Sequence, residues 1–304
     1  TECGNYLCAK LCPVNRTGKD CITEGLDNKA KIDEVLCNGC NICPKKCPFG
    51  AIQIINLPEH LNKPPVHRYG ENMFELYSLP SPLFGLVTGI VGRNGIGKST
   101  AMKIMANMLK PNLGKYDREV DFKDVIYYFK GTETQKFMEQ LGKGEINLAY
   151  KPQQVDLIPK QFSGKVIDLL KKVNEDEKEI KDIAEKLQLL HFLENDLDKV
   201  SGGELQRVAI AAAVLKKGNL YLFDEPTSYL DIKQRINASK FIRSLAEQKT
   251  STIVIEHDLI ILDYMTDLLN IMYGAEGAFG VVSGVKTTRE GINAFLEGYL
   301  KEEN

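Results

Sequence analysis

The sequence predicts an α/β nucleotide-binding domain of the P-loop type, preceded by a small α+β domain built on cysteine. Three observations carry this. All eight cysteines fall between Cys3 and Cys47, and residues 48–304 contain none. An apolar run from Leu83 to Val91 leads directly into Gly92-Arg93-Asn94-Gly95-Ile96-Gly97-Lys98-Ser99. Two further apolar runs, Asn219 to Phe223 and Thr252 to Ile255, each read as a strand that ends in acidic residues.

Composition sets the bounds. A chain of 304 residues suggests two domains. With 43% apolar and 26% charged residues it is neither a disordered tail nor a membrane protein. Lys and Arg number 39 against 41 Asp and Glu, so no global basic field advertises nucleic acid as a partner. The longest uncharged apolar stretch, roughly 83–92, is about half of what a membrane-spanning helix needs, and no signal peptide opens the chain. The expectation is an intracellular protein with no membrane partner. Because the chain starts at Thr1 and not Met, its first residues are not taken as a true terminus.

Cys37, Cys40, Cys43 and Cys47, followed by Pro48, form C-x2-C-x2-C-x3-C-P. This run supplies three thiolates to one [4Fe–4S] cube and a fourth to its neighbour in bacterial ferredoxins. Gly39 lets the backbone approach inorganic sulfur closely. Upstream, Cys3, Cys8, Cys12 and Cys21 read as a diverged second half of the same device. On that logic Cys37, Cys40 and Cys43 share a cluster with Cys12, while Cys47 crosses to join Cys3 and Cys8, with Cys21 as the candidate fourth ligand. A disulfide-stapled module is an alternative, since eight is even and the segment short, but disulfides persist poorly in a reducing compartment. A zinc module is another, although structural zinc sites rarely use three overlapping C-x2-C steps ending in Cys-Pro. Ala51 to Ile55 reads as a short closing strand. Asn56-Leu57-Pro58 with Pro64 and Pro65 reads as a linker, which places the boundary near residue 60.

The run from Gly92 to Ser99 satisfies G-x-x-x-x-G-K-[ST] in a strand–loop–helix context. Backbone N–H groups around Gly92, Asn94, Gly95 and Gly97 would curl about the phosphates of ATP, Lys98 would reach the β and γ oxygens, and Ser99 would offer its hydroxyl to Mg²⁺. Thr100 opens a helix expected to run to Leu109. Between Asn174 and Lys186 the charge-rich run from Glu175 to Glu179 reads as a solvated helix face, with Ile180, Ile183 and Leu187 pointing inward.

Four further elements follow the order found in ATP-binding-cassette (ABC) proteins. Ser201-Gly202-Gly203-Glu204-Leu205-Gln206-Arg207 resembles their signature motif, which meets a γ-phosphate presented from across a dimer interface. Asp224-Glu225 resembles the Walker B segment, which implies Asp224 as a Mg²⁺ contact and Glu225 as the group that polarises the attacking water. Pro226 to Asp231 matches the D-loop, with Asp231 at its end. His257, within Glu256-His257-Asp258, looks like the switch histidine, and Lys151-Pro152-Gln153 resembles the Q-loop, with Gln153 as a Mg²⁺ and water contact. Tyr69 and Phe74 lie where ABC folds place an aromatic ring against adenine.

A two-cluster ferredoxin-like segment ahead of such a cassette is a rare pairing, and the sequence resembles the ABC-E family, also called RNase L inhibitor proteins. Further marks are Cys47-Pro48-Phe49-Gly50, His67-Arg68-Tyr69, Tyr229 in the D-loop, Glu256 before the switch histidine, and Arg289-Glu290-Gly291-Ile292-Asn293, which resembles the start of that family's hinge. The implied domains are 1–60 (iron–sulfur), 61–288 (first ABC cassette, with a helix–loop–helix insertion at about 125–147 that touches ribosomal RNA) and 289–304 (start of the hinge). The resemblance implies an ATP hydrolase with ATP, Mg²⁺ and two structural [4Fe–4S] clusters as cofactors. It further implies a nucleotide-driven clamp that splits post-termination ribosomes into subunits and binds the small ribosomal subunit during initiation. Release and initiation factors, and a second cassette in the same chain, are the implied partners. Ribosome biogenesis, the cytoplasm and also the nucleus belong to the same picture.

The sequence departs from that family in two ways. Only Cys3, Cys8 and Cys12 precede Pro13, one cysteine fewer than relatives carry. Only one P-loop and one signature motif are present, so Ser201 is not expected to complete the site containing Lys98, and the chain reads as the N-terminal half of a longer protein with little hydrolysis alone. The rival readings are a cytosolic ABC ATPase of iron–sulfur cluster assembly or transfer, a redox enzyme coupling ATP hydrolysis to electron transfer, and a transporter's ATPase subunit.

Overall fold

A computed structural model describes residues 6–25, 29–33, 36–37, 40, 42–52 and 63–298. Cys3, Gly39, the last three residues of the expected closing strand, the 56–58 linker and residues 299–304 lie outside them. Ala51 and Ile52, which are described, belong to no strand.

The cysteine-rich segment forms short helices α1 (Leu7–Leu11), α2 (Pro13–Arg16) and α3 (Ile42–Lys46), with strands β1 (Ile22–Glu24) and β2 (Ala30–Ile32) paired antiparallel. Pro13 opens α2, where its missing N–H costs nothing. Among the described residues the buried core here is Cys8, Cys12, Cys21, Ile22 and Cys43. Four of these five are cysteines, with Val14, Ile32, Leu36 and Ile52 partly buried against them.

The rest is one mixed sheet with helices on both faces. Its strands are β3 (His67–Arg68), β4 (Glu75–Tyr77), β5 (Val87–Gly92), β6 (Leu148–Lys151), β7 (Leu220–Asp224), β8 (Ser251–Ile255), β9 (Leu268–Ala275), β10 (Phe279–Val282) and β11 (Lys286–Thr287). Among the described residues the order is β3-β4-β10-β9-β5-β8-β7-β6, with β11 on β9. Strands β9, β5, β8, β7 and β6 are mutually parallel, as a sheet covered on both faces requires. The helices are α4 (Lys98–Met105), α5 (Phe122–Tyr128), α6 (Glu133–Gly142), α7 (Ile158–Gln161), α8 (Val166–Val173), α9 (Glu177–Lys186), α10 (Gly202–Leu215), α11 (Ile232–Arg243), α12 (Leu259–Met265) and α13 (Thr288–Glu297). None of the described helices is long and apolar enough to cross a membrane.

Strand β7 shows why a central strand is apolar on both faces up to its last residue. Leu220 and Leu222 face the core shared with α4, while Tyr221 and Phe223 face the core shared with α10 and α11. Several expected boundaries move for local reasons. The P-loop strand starts at Val87 and not Leu83, because Gly85 takes φ +85°. Helix α4 stops at Met105, short of Leu109, where Asn107 turns left-handed at φ 53°. The insertion is the pair α5 and α6 and begins at Phe122, because Asp121 caps it by accepting from Lys123 N at 3.0 Å. Helix α9 starts at Glu177, behind the Asp176 cap, and buries Ile180, Ile183 and Leu187. The residues expected to open a hinge form α13, which lies on β9 with Gly291 against Leu269.

Candidate functional site

Strand β5 delivers the chain into the P-loop and α4 takes it away. Gly95 at φ +72° and Gly97 at φ +95° occupy the left-handed region. A Cβ on Gly97 would lie 2.5 Å from Phe74 Cζ, so the Phe74 ring packs directly on the loop. Tyr69 shares a 3.2 Å hydrogen bond with Thr100 Oγ1 through its hydroxyl. Both aromatics named from the sequence therefore stand beside the start of α4. The Lys98 ammonium is turned inward and donates to Gly92 O at 2.7 Å and Arg93 O at 2.9 Å. Burial lowers its pKa, and Glu225 and Asp224 pull it back up. Ser99 is exposed at the head of the helix.

The C-terminal ends of β6, β7 and β8 converge, the place where an open α/β sheet binds its ligands. Asp224, 3% exposed, closes β7. Burial pushes its carboxyl up to about 6, Glu225 adds to the rise, and Lys151, Lys98 and His257 oppose it. Glu225 follows at φ 46°, a conformation that costs a non-glycine residue about 1–3 kcal/mol and marks a functional turn. Its Oε1 accepts from Gln153 Nε2 at 2.9 Å and pairs with His257 Nε2 at 3.0 Å. Its Oε2 accepts from Ser228 Oγ at 3.1 Å. Gln153, Glu225 and His257, far apart in sequence, thus meet on one carboxylate.

Three supporting residues carried no assigned role at the sequence level. Glu256, 4% exposed, accepts from Thr227 N at 2.9 Å and His257 N at 3.1 Å, tying the turn after Walker B to the switch. Lys151, fully buried, donates to Asp224 O at 2.8 Å and Glu225 O at 3.2 Å. Burial lowers its pKa to about 8 against the pull of Asp224, Glu256 and Glu225. Gln206 Nε2 donates to Glu225 O at 2.6 Å. All three lie inside motifs already singled out. A charged or amide side chain in a strand end or an apolar helix face was the available signal.

Ser201 caps α10 in a reciprocal capping box with Glu204: Ser201 N donates to Glu204 Oε2 at 2.7 Å, and Glu204 N to Ser201 Oγ at 3.4 Å. A Cβ on Gly203 would lie 2.9 Å from Tyr229 O, so the signature segment and the D-loop touch. Asp231 caps α11 by accepting from Gln234 N at 2.9 Å. A cavity of about 570 Å³ opens here, with Ser201, Gly202, Gly203, Glu204, Arg207 and Tyr229 in its wall, and none of its lining residues comes from the P-loop. The chain thus carries a P-loop surface and a separate signature surface.

In the cysteine-rich domain Cys8, Cys12, Cys21 and Cys43 are buried, Cys37 and Cys47 are half-buried, and Cys40 is exposed. Burial pushes the Cys21 thiol up to about 12, helped by its hydrogen bond to Cys12; it also touches Cys37. Cys43 neighbours Cys37, Cys40 and Cys8. The backbone N–H groups of Ala51, Phe49, Gly50 and Ile52 hold the Cys47 thiol below its usual range, which favours thiolate. Among the described residues no three His, Cys, Asp or Glu side chains form a group that could hold a metal ion. The donor chemistry nevertheless fits an iron–sulfur cluster: four of the five buried core side chains are cysteines, and a fifth thiol, Cys47, is ringed by amides. The domain meets the cassette through Lys31 Nζ and Glu71 Oε2 at 2.9 Å and through Asn72 Nδ2 donating to Ile32 O at 3.0 Å, in the same turn that carries Tyr69 and Phe74.

A family model described as ABC transporter matches residues 84–228. An uncharacterized ABC transporter ATP-binding protein of Methanocaldococcus jannaschii is 52% identical over 98% of this chain and 49% of its own length. The translation initiation factor RLI1 of Saccharomyces cerevisiae is 47% identical over 98% of this chain and 50% of its own. Among solved structures, a chain from ribosome-bound archaeal Pelota and ABCE1 superposes with a TM-score of 0.94 at 50% identity, covering 99% of this chain and 51% of that one. The chain spans about half the length of the curated relatives it matches.

Proposed function

The chain belongs to the ABC-E, or RNase L inhibitor, family of ATP-binding-cassette proteins, and from that premise we propose that it is part of an iron–sulfur ATPase that works on the ribosome as a nucleotide-driven clamp. The observation that carries the reading is similarity along the whole chain, cysteine domain included, to a ribosome-bound ABCE1. The relative named as a translation initiation factor supports a role at initiation as well as in recycling. The cassette is residues 61–288, residues 1–60 form the cluster domain, and the hinge follows.

The chemistry follows from the geometry. ATP enters along the P-loop with adenine towards Tyr69 or Phe74, and Lys98 exchanges its two main-chain carbonyls for phosphate oxygens. Mg²⁺, held by Ser99, Asp224 and Gln153, would neutralise charge on the phosphates. Glu225 orients and polarises the attacking water, and His257 and Gln153 hold its carboxylate in place. Ser201, Gly202, Gly203 and Glu204 face the nucleotide of a second cassette, so ATP closes the clamp and hydrolysis reopens it. The eight cysteines would hold two [4Fe–4S] clusters as cross-links of a rigid lever. The small ribosomal subunit with its RNA, and release and initiation factors, are the partners, in the cytoplasm and also the nucleus.

The test is sedimentation with purified ribosomal subunits, using the protein with both cassettes and intact clusters. Co-sedimentation with the small subunit in a non-hydrolysable ATP analogue but not in ADP, with Glu225→Gln trapping the same state, supports the clamp. Nucleotide-independent or absent binding refutes it and favours iron–sulfur cluster transfer, which an apo-acceptor would report.

A further inference from the structure

The catalytic turn is gripped from a second side. Strand β6 lies beside β7 with Lys151 opposite Phe223, one residue before Asp224. From there the lysine side chain crosses beneath the Walker B turn and ends on the main-chain carbonyls of Asp224 and Glu225. It is 0% exposed, in a protein whose other lysines mostly reach solvent. Burying an ammonium is costly unless it is paired or fully hydrogen-bonded, so the position demands a reason.

Glu225 supplies one. Its left-handed backbone turns the peptide after β7 out of the sheet ladder and leaves its carbonyl facing the protein interior. Two donors meet that oxygen: Lys151 Nζ at 3.2 Å and Gln206 Nε2, from the helix that opens with the signature segment, at 2.6 Å. Two residues beyond Lys151, Gln153 holds the carboxylate end of the same glutamate at 2.9 Å. The end of β6 therefore grips Glu225 at both ends, main chain through Lys151 and side chain through Gln153.

We propose that Lys151 is a positioning residue for ATP hydrolysis, holding Glu225 in its left-handed turn so that the carboxylate presents to the attacking water, with Gln206 as the second anchor. The lysine is fully buried, ends on main-chain carbonyls and acts through Glu225. This rests on the ATPase reading above. A displacement of the signature helix reaches Glu225 through its carbonyl oxygen, and one of the Q-loop strand through that oxygen and through Gln153.

The test uses the full-length protein with its second cassette disabled at that cassette's own Walker B glutamate, so that only this site turns over. If the parent protein does not hydrolyse ATP, the ATPase reading fails before Lys151 is reached. Given an active parent, Lys151→Met is expected to lower kcat by about tenfold or more while KM for ATP changes by less than about threefold. Like Glu225→Gln, it should retain unhydrolysed ATP when quenched and counted. An unchanged kcat, or a rise in KM that accounts for the whole loss, overturns the proposal. Should Lys151→Met fail to give a cooperative thermal melt, Gln206→Met removes the other anchor without touching the buried charge. A fall in its kcat at steady KM then supports the proposal, and parental kcat overturns it.

Discussion

Arg235 joins the D-loop to the switch segment: its Nη1 donates to Asp258 Oδ2 at 3.1 Å, and its Nε to Leu230 O at 2.9 Å. Asp258 also caps α12, accepting from Ile260 N at 3.0 Å and Ile261 N at 3.3 Å. The ion pair is about one-third exposed and is worth little on its own, whereas the cap is a local necessity. Arg235→Ala is expected to cost about 0.5–1 kcal/mol and Asp258→Ala about 1–2 kcal/mol. Urea midpoints decide this, and equal losses would contradict the division of labour.

Asp224 makes stability depend on pH in an inverted sense. Its native pKa, raised to about 6 from an ordinary 3.8, means that between those values the native state binds more protons than the unfolded chain. Its contribution therefore falls as pH rises through that window, and above it stays as a penalty. In metal-free buffer Asp224→Asn should raise stability at pH 7.5 by on the order of 1–3 kcal/mol and give little gain near pH 4. A destabilised variant at pH 7.5 would refute the assignment.

Lys98 is held by carbonyls that phosphate oxygens would replace. Lys98→Ala is expected to weaken ATP binding by about 10–100-fold, the worth of charge-assisted bonds, without lowering the melting temperature of the nucleotide-free protein. Titration with a fluorescent ATP analogue reads the first quantity and a thermal melt the second.

Gly280 lets β10 lie against the P-loop. A Cβ there would collide with Ile96 O and fall 3.1 Å from Ile96 C, both backbone atoms that cannot swing aside. Gly280→Ala should cost more than about 2 kcal/mol and weaken nucleotide binding through displaced Ile96. Near-parental stability and affinity would show that the contact relaxes cheaply.

Cys43 is buried among Cys37, Cys40 and Cys8. In protein purified without oxygen, Cys43→Ser should remove about half of the bound iron and acid-labile sulfide, one cluster of two. Undiminished iron would place the ligands elsewhere. Zinc in place of iron in the parent protein would overturn the cluster assignment altogether.

Much of the cassette was legible in one dimension because its elements carry local signals. The P-loop glycines, the capping serine and aspartates, and the strand ends of β7 and β8 are each specified by neighbours within a few residues. Boundaries moved where a single backbone conformation intervened, as Gly85 and Asn107 do at the two ends of the P-loop unit. Lys151, Gln206 and Glu256 were not legible as supports. A lysine or glutamine in a polar motif looks solvated until the strand order brings a buried carbonyl within reach.

The sequence by itself determined the kinds of chemistry available: which loop cradles phosphate, which carboxylates stand at a strand end, and that all the thiols belong to the first domain. Those depend on residue type and short spacing. Tertiary structure alone decided that Gln153, Glu225 and His257 share one carboxylate, that Lys151 lies beneath it, and that Cys21 sits beside Cys12 and Cys37. The reason is the parallel sheet: its neighbouring strands are joined by long crossovers, so contacts between their ends are written in strand order and register, which no local pattern encodes.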